Sequence, residues 1–330
     1  MVNMDLSETV AATSRDATLR RFTLGDRRFR LMTQLAAFLV VAIFAGIIVT
    51  LYIGAAPAIK AFGWDFLVTS TWNPVTEKFG AFPLIYGTLV TSALAMIVAV
   101  PVGIGIAIFL TELCPRQLKR PIGIAVELLA GIPSIIYGIW GFFIFAPFFQ
   151  STVEPWLISI FANIPVLEDM FAGPPYGIGI FTAALILSIM ILPFISAVTR
   201  DVFATVPPIL KEAAYGLGCT TWEVMWRIVL PYSRSGVVGG AMLALGRALG
   251  ETMAVTFVVG NAHHINMSLL APGTTISAAI ANEFSEALGE LYIPSLIYAG
   301  LILFFITFLV LAAAQLMLRS LDRRSGGGSK

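Results

Sequence analysis

The sequence predicts an all-α integral membrane protein of six transmembrane helices. Three observations carry this. Of 330 residues, 58% are hydrophobic and 12% charged, whereas a soluble domain carries about a quarter charged residues. Mean hydropathy is +0.90. Six segments are apolar over the roughly 20 residues that a helix needs to cross a hydrocarbon core of about 30 Å. Helices satisfy their own backbone hydrogen bonds in lipid, so such segments are read as helices.

In chain order the spans are expected at about 31–55, 84–111, 122–149, 177–198, 235–260 and 292–317. The net charge of +1 says little, because the placement of charge decides orientation. The tail 1–30 holds Arg15, Arg20, Arg21, Arg27, Arg28 and Arg30, and the second-to-third connection holds Arg116, Lys119 and Arg120. Arg200, Lys211, Arg227 and Arg234 follow in the loop 199–234, and Arg319, Arg323, Arg324 and Lys330 in the tail 319–330. These 17 of the 20 basic residues fall on one side, which the positive-inside rule makes cytoplasmic, with both termini. Lys60 and Lys78 lie opposite, and Arg247 lies within a span. No cleavable signal is visible in the polar first 30 residues, so the first span is expected to be a retained anchor. Cys114 and Cys219 fall on the cytoplasmic side, where a reducing compartment argues against a disulfide, and no metal site is expected. The closing Ser325–Lys330 is flexible in character.

The outer loops differ in kind. Trp64 and Trp72 in the first suit a membrane interface, and the second, about 150–176, is acidic, with Glu154, Glu168 and Asp169. In the third, His263 and His264 read as part of an ordinary solvated loop. Within the spans, Pro101, Pro133 and Pro193 are expected at kinks. Glu127 reads either as a functional carboxylate or as an interfacial one satisfied by backbone or water.

The cytoplasmic loop 199–234 is long for a connector. Pro207 and Pro208 precede an Ala-rich helical stretch, Gly216 and Gly218 break it, and a second helical stretch runs to Pro231. Glu212 suits the positive end of the short helix. Ala213 and Ala214 are small enough for another protein's surface to approach. Glu212-Ala213-Ala214, three residues, Gly218, nine residues, then Ile228-x-Leu230-Pro231 resembles the EAA loop of ATP-binding-cassette importer permeases. The resemblance implies a type I importer permease architecture in which this loop docks on an ATPase subunit. No G-x-x-x-x-G-K-[ST] occurs in the chain, so ATP and Mg are expected on a separate chain, with no cofactor bound here. The chain is accordingly read as a non-catalytic subunit.

TWNPVTEKFGAFPLIYGT, ELLAGIPSIIYGIWGFF and GRALGETMAVTFVVGN extend the likeness over about residues 30–320. With them the chain resembles the PstC-type permease of the bacterial phosphate-specific importer. That resemblance implies inorganic phosphate import across the plasma membrane. It implies a PstA-type sister permease, two PstB-type ATPase subunits and an extracytoplasmic phosphate-binding protein. Another oxyanion, molybdate or sulfate, is the alternative within the class, and a secondary anion transporter the alternative outside it.

The chemistry of the fifth span is compatible with an anion path. Arg247, about 11 residues into the expected span, falls near mid-membrane, where an unpaired charge costs about 3 kcal/mol or more. Glu251, four residues on, would share its helix face and could pair with it. Gly236, Gly240, Ala244, Gly246, Ala248, Gly250 and Ala254 strip the helix of bulk, for close helix approach or for an anion. A guanidinium can donate two parallel hydrogen bonds to phosphate. Glu251 either balances Arg247 or accepts from a protonated phosphate oxygen, and Thr252 could donate. A purely structural ion pair is the competing reading. The resemblance associates this Arg and this Glu with transport.

Overall fold

In the computed structural model, the backbone of residues 3–326 and the side chains of residues 26–319 are described. Arg15, Arg20, Arg21, Arg323, Arg324 and the closing Ser325–Lys330 therefore contribute no described side chains. The chain forms two compact units, Met1–Gly54 and Ala55–Lys330. Helix α1, Asn3–Phe62, begins well before the expected first span. In the first unit its side chains from residue 26 on are almost all exposed.

The second unit contains α2 (Phe82–Leu113), α3 (Arg116–Ala130) and α4 (Ser134–Phe161). They are followed by α5 (Ile180–Ala204), α6 (Pro208–Gly216), α7 (Thr221–Leu249) and α8 (Met253–Thr256). The chain closes with α9 (Ile276–Glu283) and α10 (Tyr292–Gly326). Six helices are long and apolar enough to span a bilayer, and the described residues contain no strand beyond two isolated bridges.

The third and fifth spans differ from expectation. The segment 122–149 is not one helix: α3 ends at Ala130, and Pro133 stands just before α4 rather than inside a helix. Proline removes a donor and biases the residue before it away from helical geometry, so Gly131-Ile132-Pro133 forms a stop. Pro101 and Pro193 do lie within helices, in α2 and α5. The fifth span starts at Thr221, fourteen residues early, and stops at Leu249. The second helical stretch of the loop 199–234 thus runs through Pro231, which closely follows a π-helical turn at Met225–Val229 that breaks the regular i→i−4 pattern.

Helix α5 is the most buried span and the axis of the unit. Its Ile186, Met190, Ile191 and Ile195 pack against Ala95 and Ala99 of α2 and Ala244 and Ala248 of α7. The small residues of α7 serve this approach. A Cβ on Gly236 would stand 2.5 Å from Val202, and one on Gly240 2.7 Å from Val198. This is how helices associate in lipid, where apolar bulk gives no preference for protein over solvent.

A second core joins Phe66 and Phe79 of the first loop to Ile276, Tyr292 and Leu296. Most of residues 268–279 are buried in it, whereas 261–267, with His264, stay exposed or half-buried. His263 is part of this packing. Its ring stacks on Trp72 at 5.3 Å and 7°, and Nε2 lies 2.8 Å from Glu283 Oε1. That approach is close but out of line for a hydrogen bond. Burial pushes the imidazole below its usual value, Glu283 opposes this in part, and His264 adds to it. Trp72 Nε1 and the Tyr292 hydroxyl both donate to Glu283 Oε2, at 2.9 and 2.7 Å.

Candidate translocation and coupling sites

At the expected anion site, α7 ends where the sequence gives no proline to end it. Gly250 closes the helix at φ −96° and ψ 3°, and Glu251 and Thr252 lie outside it. Arg247 is therefore in the last turn of a long helix, not at the middle of an uninterrupted span. The C-terminal carbonyls of that helix favour a cation there. Arg247 and Glu251 do not share a helical face, and the ion pairs among the described residues do not include them. The expected Arg247–Glu251 pairing is corrected on this ground. Arg247 is exposed, and its guanidinium carbon lies 4.5 Å from the ring centre of Phe194 on α5. A ring face stabilises a guanidinium without neutralising it, so the positive charge remains free for an anion.

Glu251 faces differently. Its Oε1 accepts from Ala254 N–H at 3.2 Å, capping α8. Thr252 stands at the cap position of α8, and its hydroxyl donates to Gly250 O at 3.3 Å. A crevice of about 10 Å³ beside Glu251 is lined by Thr88, Thr91 and Ser92 of α2 and by Thr275. That is room for about one water and for no oxyanion. Thr88 and Thr275 are engaged in structure, accepting from Ile276 N–H and Ala278 N–H. Thr91 is different: it is 1% exposed and its hydroxyl has no partner. Thr91, Ser92 and Phe194 were not singled out by the sequence. The 88/91/92 spacing, one helical face carrying three hydroxyls within an apolar span, is the signal that could have found them.

The coupling signature is explained by its own geometry. α6 ends in a Schellman closure: Gly218 N–H reaches Tyr215 O at 2.9 Å and Cys219 N–H reaches Ala214 O at 3.1 Å. Gly218 has φ +86°, a left-handed conformation that disfavours a side chain. The glycine four residues after the second alanine is thus the residue that stops the short helix. Thr220 then opens α7 with a capping box to Glu223.

The other signature residues divide between surface and core. Glu212 and Ala213 are exposed, but Ala214 is 4% exposed and packs inward with Val224 and Met225. Only one of the two alanines is therefore available to a partner. Glu212 is the fifth residue of α6, past the first turn, so the expected interaction with the helix's positive end is absent. Ile228 and Leu230 pack against the same core, and Pro231 is exposed. Lys211 of α6 donates to Glu112 at the end of α2 at 2.6 Å. Around α6, Ile209, Leu217 and Trp222 are 71, 86 and 68% exposed. Glu127 is satisfied by Arg200 at 2.6 Å, a partner the sequence reading did not name.

The chain is 65% identical to the phosphate transport system permease protein PstC of Mesorhizobium japonicum, over 95% of this chain and 96% of that protein. It is 56% identical to the protein of the same name from Pasteurella multocida, over 90% and 93% of the two chains. Among solved structures it resembles the bacterial alginate ABC transporter crystallised with an alginate pentasaccharide-bound periplasmic protein. That likeness has a TM-score of 0.58 at 21% identity, over 87% of this chain and 94% of that one, and it speaks to the fold. Residues 99–326 match the model of the binding-protein-dependent transport system inner membrane component family. The chain is a member of the family of binding-protein-dependent transport system inner membrane components.

Proposed function

We propose that the chain is the permease that forms half of a path for inorganic phosphate import across the bacterial plasma membrane. The observation that carries this reading is the identity of 65% to a phosphate transport permease over nearly the whole chain. The site chemistry supports it. Arg247 offers a free guanidinium, and three residues past it Gly250 and Glu251 open a break in the helix. Non-helical backbone at membrane depth is tolerated where it is buried in protein or lines a cavity. Phosphate retains a proton near neutral pH and can donate to Glu251 while accepting from Arg247. Sulfate has no such proton, so a carboxylate beside the path disfavours it.

Both termini and α6 lie on the cytoplasmic side in this reading. The exposed Ile209, Leu217 and Trp222 around α6 form the apolar centre of the surface that meets a PstB-type ATPase subunit. ATP and Mg are held there and not by this chain. A PstA-type sister permease supplies the other half of the path, and an extracytoplasmic phosphate-binding protein delivers the ion.

The test is ATP-driven uptake by the complete importer in proteoliposomes, with labelled phosphate and sulfate. Phosphate is expected to accumulate, and Glu251→Gln is expected to lose discrimination against sulfate. Unchanged phosphate selectivity in Glu251→Gln removes the acceptor role. Uptake of sulfate or molybdate in place of phosphate by the unmodified importer overturns the substrate.

A further inference from the structure

Helix α3 is amphipathic in an unusual sense. Arg116, Lys119, Arg120, Gly123 and Glu127 share one face at helical spacing, and Leu118, Ile124, Leu128 and Leu129 take the other. The apolar face is open as well as the polar one: these four residues are 51, 47, 68 and 42% exposed. The polar face turns toward the end of α5, where Arg200 bridges to Glu127 at 2.6 Å and to Asp201 at 3.3 Å. Between the two helices lies an open cleft of about 280 Å³ lined by Lys119, Arg120, Gly123, Glu127 and Arg200, with Leu110 and Ile124. Gly123 keeps it open, since a Cβ there would stand 3.2 Å from the Arg200 guanidinium. Lys119 donates to Thr111 O at 3.3 Å. Both carboxylates near the cleft, Glu127 and Asp201, are held by Arg200, so Lys119 and Arg120 line it without an ion-pair partner among the described residues.

We propose that this cleft binds the phosphodiester headgroup of an anionic phospholipid, whose acyl chains cover the exposed apolar face of α3. The two halves of the helix match the two halves of such a lipid. Two unpaired cations suit a phosphodiester, and basic clefts between membrane helices on the cytoplasmic side bind such headgroups. An interfacial helix with an open apolar face requires hydrocarbon beside it. The site is separate from Arg247 and stands whatever ion the path carries.

Native mass spectrometry of the assembled importer tests it, titrating phosphatidylglycerol, phosphatidylethanolamine or inorganic phosphate. Phosphatidylglycerol is expected to be retained in preference to phosphatidylethanolamine. Lys119→Gln with Arg120→Gln is expected to weaken it about 25-fold, as two cations contributing about fivefold each. Lys119→Arg with Arg120→Lys should restore retention, which separates charge from misfolding. Equal retention by the glutamine variant overturns the proposal, as does equal binding of the zwitterionic lipid. Displacement of the lipid by millimolar inorganic phosphate would assign the cleft to a free ion. Loss of the ATPase subunit, with lipid retained, would assign it to a protein contact.

Discussion

Replacing Thr91 by Val separates transport from packing, because the two readings of this residue give effects of opposite sign on different measurements. The hydroxyl is 1% exposed and has no hydrogen-bond partner. An orphaned buried hydroxyl costs about 1–3 kcal/mol. Valine has the same shape and the same branched β-carbon, so Thr91→Val leaves no cavity and removes that cost. The assembled importer should therefore gain about 1 kcal/mol or more of stability, read as a later thermal transition. If the hydroxyl meets the passing anion, the same change deletes one hydrogen bond to a charged group, worth about 1.5–3 kcal/mol. At constant protein that is a fall of about 10- to 100-fold in phosphate uptake. Uptake unchanged in a stabilised variant would show that Thr91 never meets the ion. A loss of stability would show that the hydroxyl already has a partner in the complex, and the reasoning from its burial would fail.

Three further outcomes follow from particular contacts. The native state disfavours protonated His263, so the unfolded chain takes up that proton first as the pH drops. Stability contributed here is complete above the ordinary histidine value of 6.5 and is lost as the pH falls below it, with a slope of at most about 1.4 kcal/mol per unit. His263→Phe, which keeps the stack on Trp72, should flatten that slope in thermal unfolding between pH 7 and 5. At Gly218, φ +86° makes alanine strained by about 1–2 kcal/mol. Gly218→Ala should therefore misplace α6 and reduce co-purification of the ATPase subunit. Exchanging the partners of the 2.6 Å pair, Lys211→Glu with Glu112→Lys, should recover the uptake that either single charge reversal loses.

The six spans were legible because hydropathy is a local property of each segment. The loop 199–234 was legible because its signature encodes a helix stop: Gly218 at positive φ, and then the Thr220–Glu223 capping box. What escaped depends on relations that composition does not carry. Apolar residues flank 131–133 and 250–252 on both sides, so a hydropathy average over a span-length window passes across both breaks. The place of His263 rests on Trp72 and Glu283, which lie 211 residues apart. Arg247 and Glu251 stand out in the sequence as charges in an apolar segment. Their mutual pairing was not correct, because it assumed a helix that stops between them. Thr91 required knowing which face of α2 turns toward α7.

That stop changes what the two charges can do. α7 runs from Thr221, beside α6, through a π-helical turn to Leu249, roughly 40 Å at about 1.5 Å per residue. Arg247 rides on the last turn of this rod. Glu251 is instead tied to α8 through Ala254 N–H, and α8 packs against α4 near Gly138. A displacement of the rod would move the cation relative to the carboxylate, and the residue between them that absorbs the change is Gly250. Its φ of −96° is open to any residue, and a Cβ there would come no closer than 3.9 Å to Gly246 O. Gly250→Ala should therefore fold and assemble normally. It stiffens the break by about 1 kcal/mol of helix propensity. Phosphate turnover is expected to fall several-fold, with binding-protein docking and basal ATP hydrolysis unchanged. Turnover equal to that of the unmodified importer would show that the break is fixed in transport. Arg247 and Glu251 would then act as one rigid site.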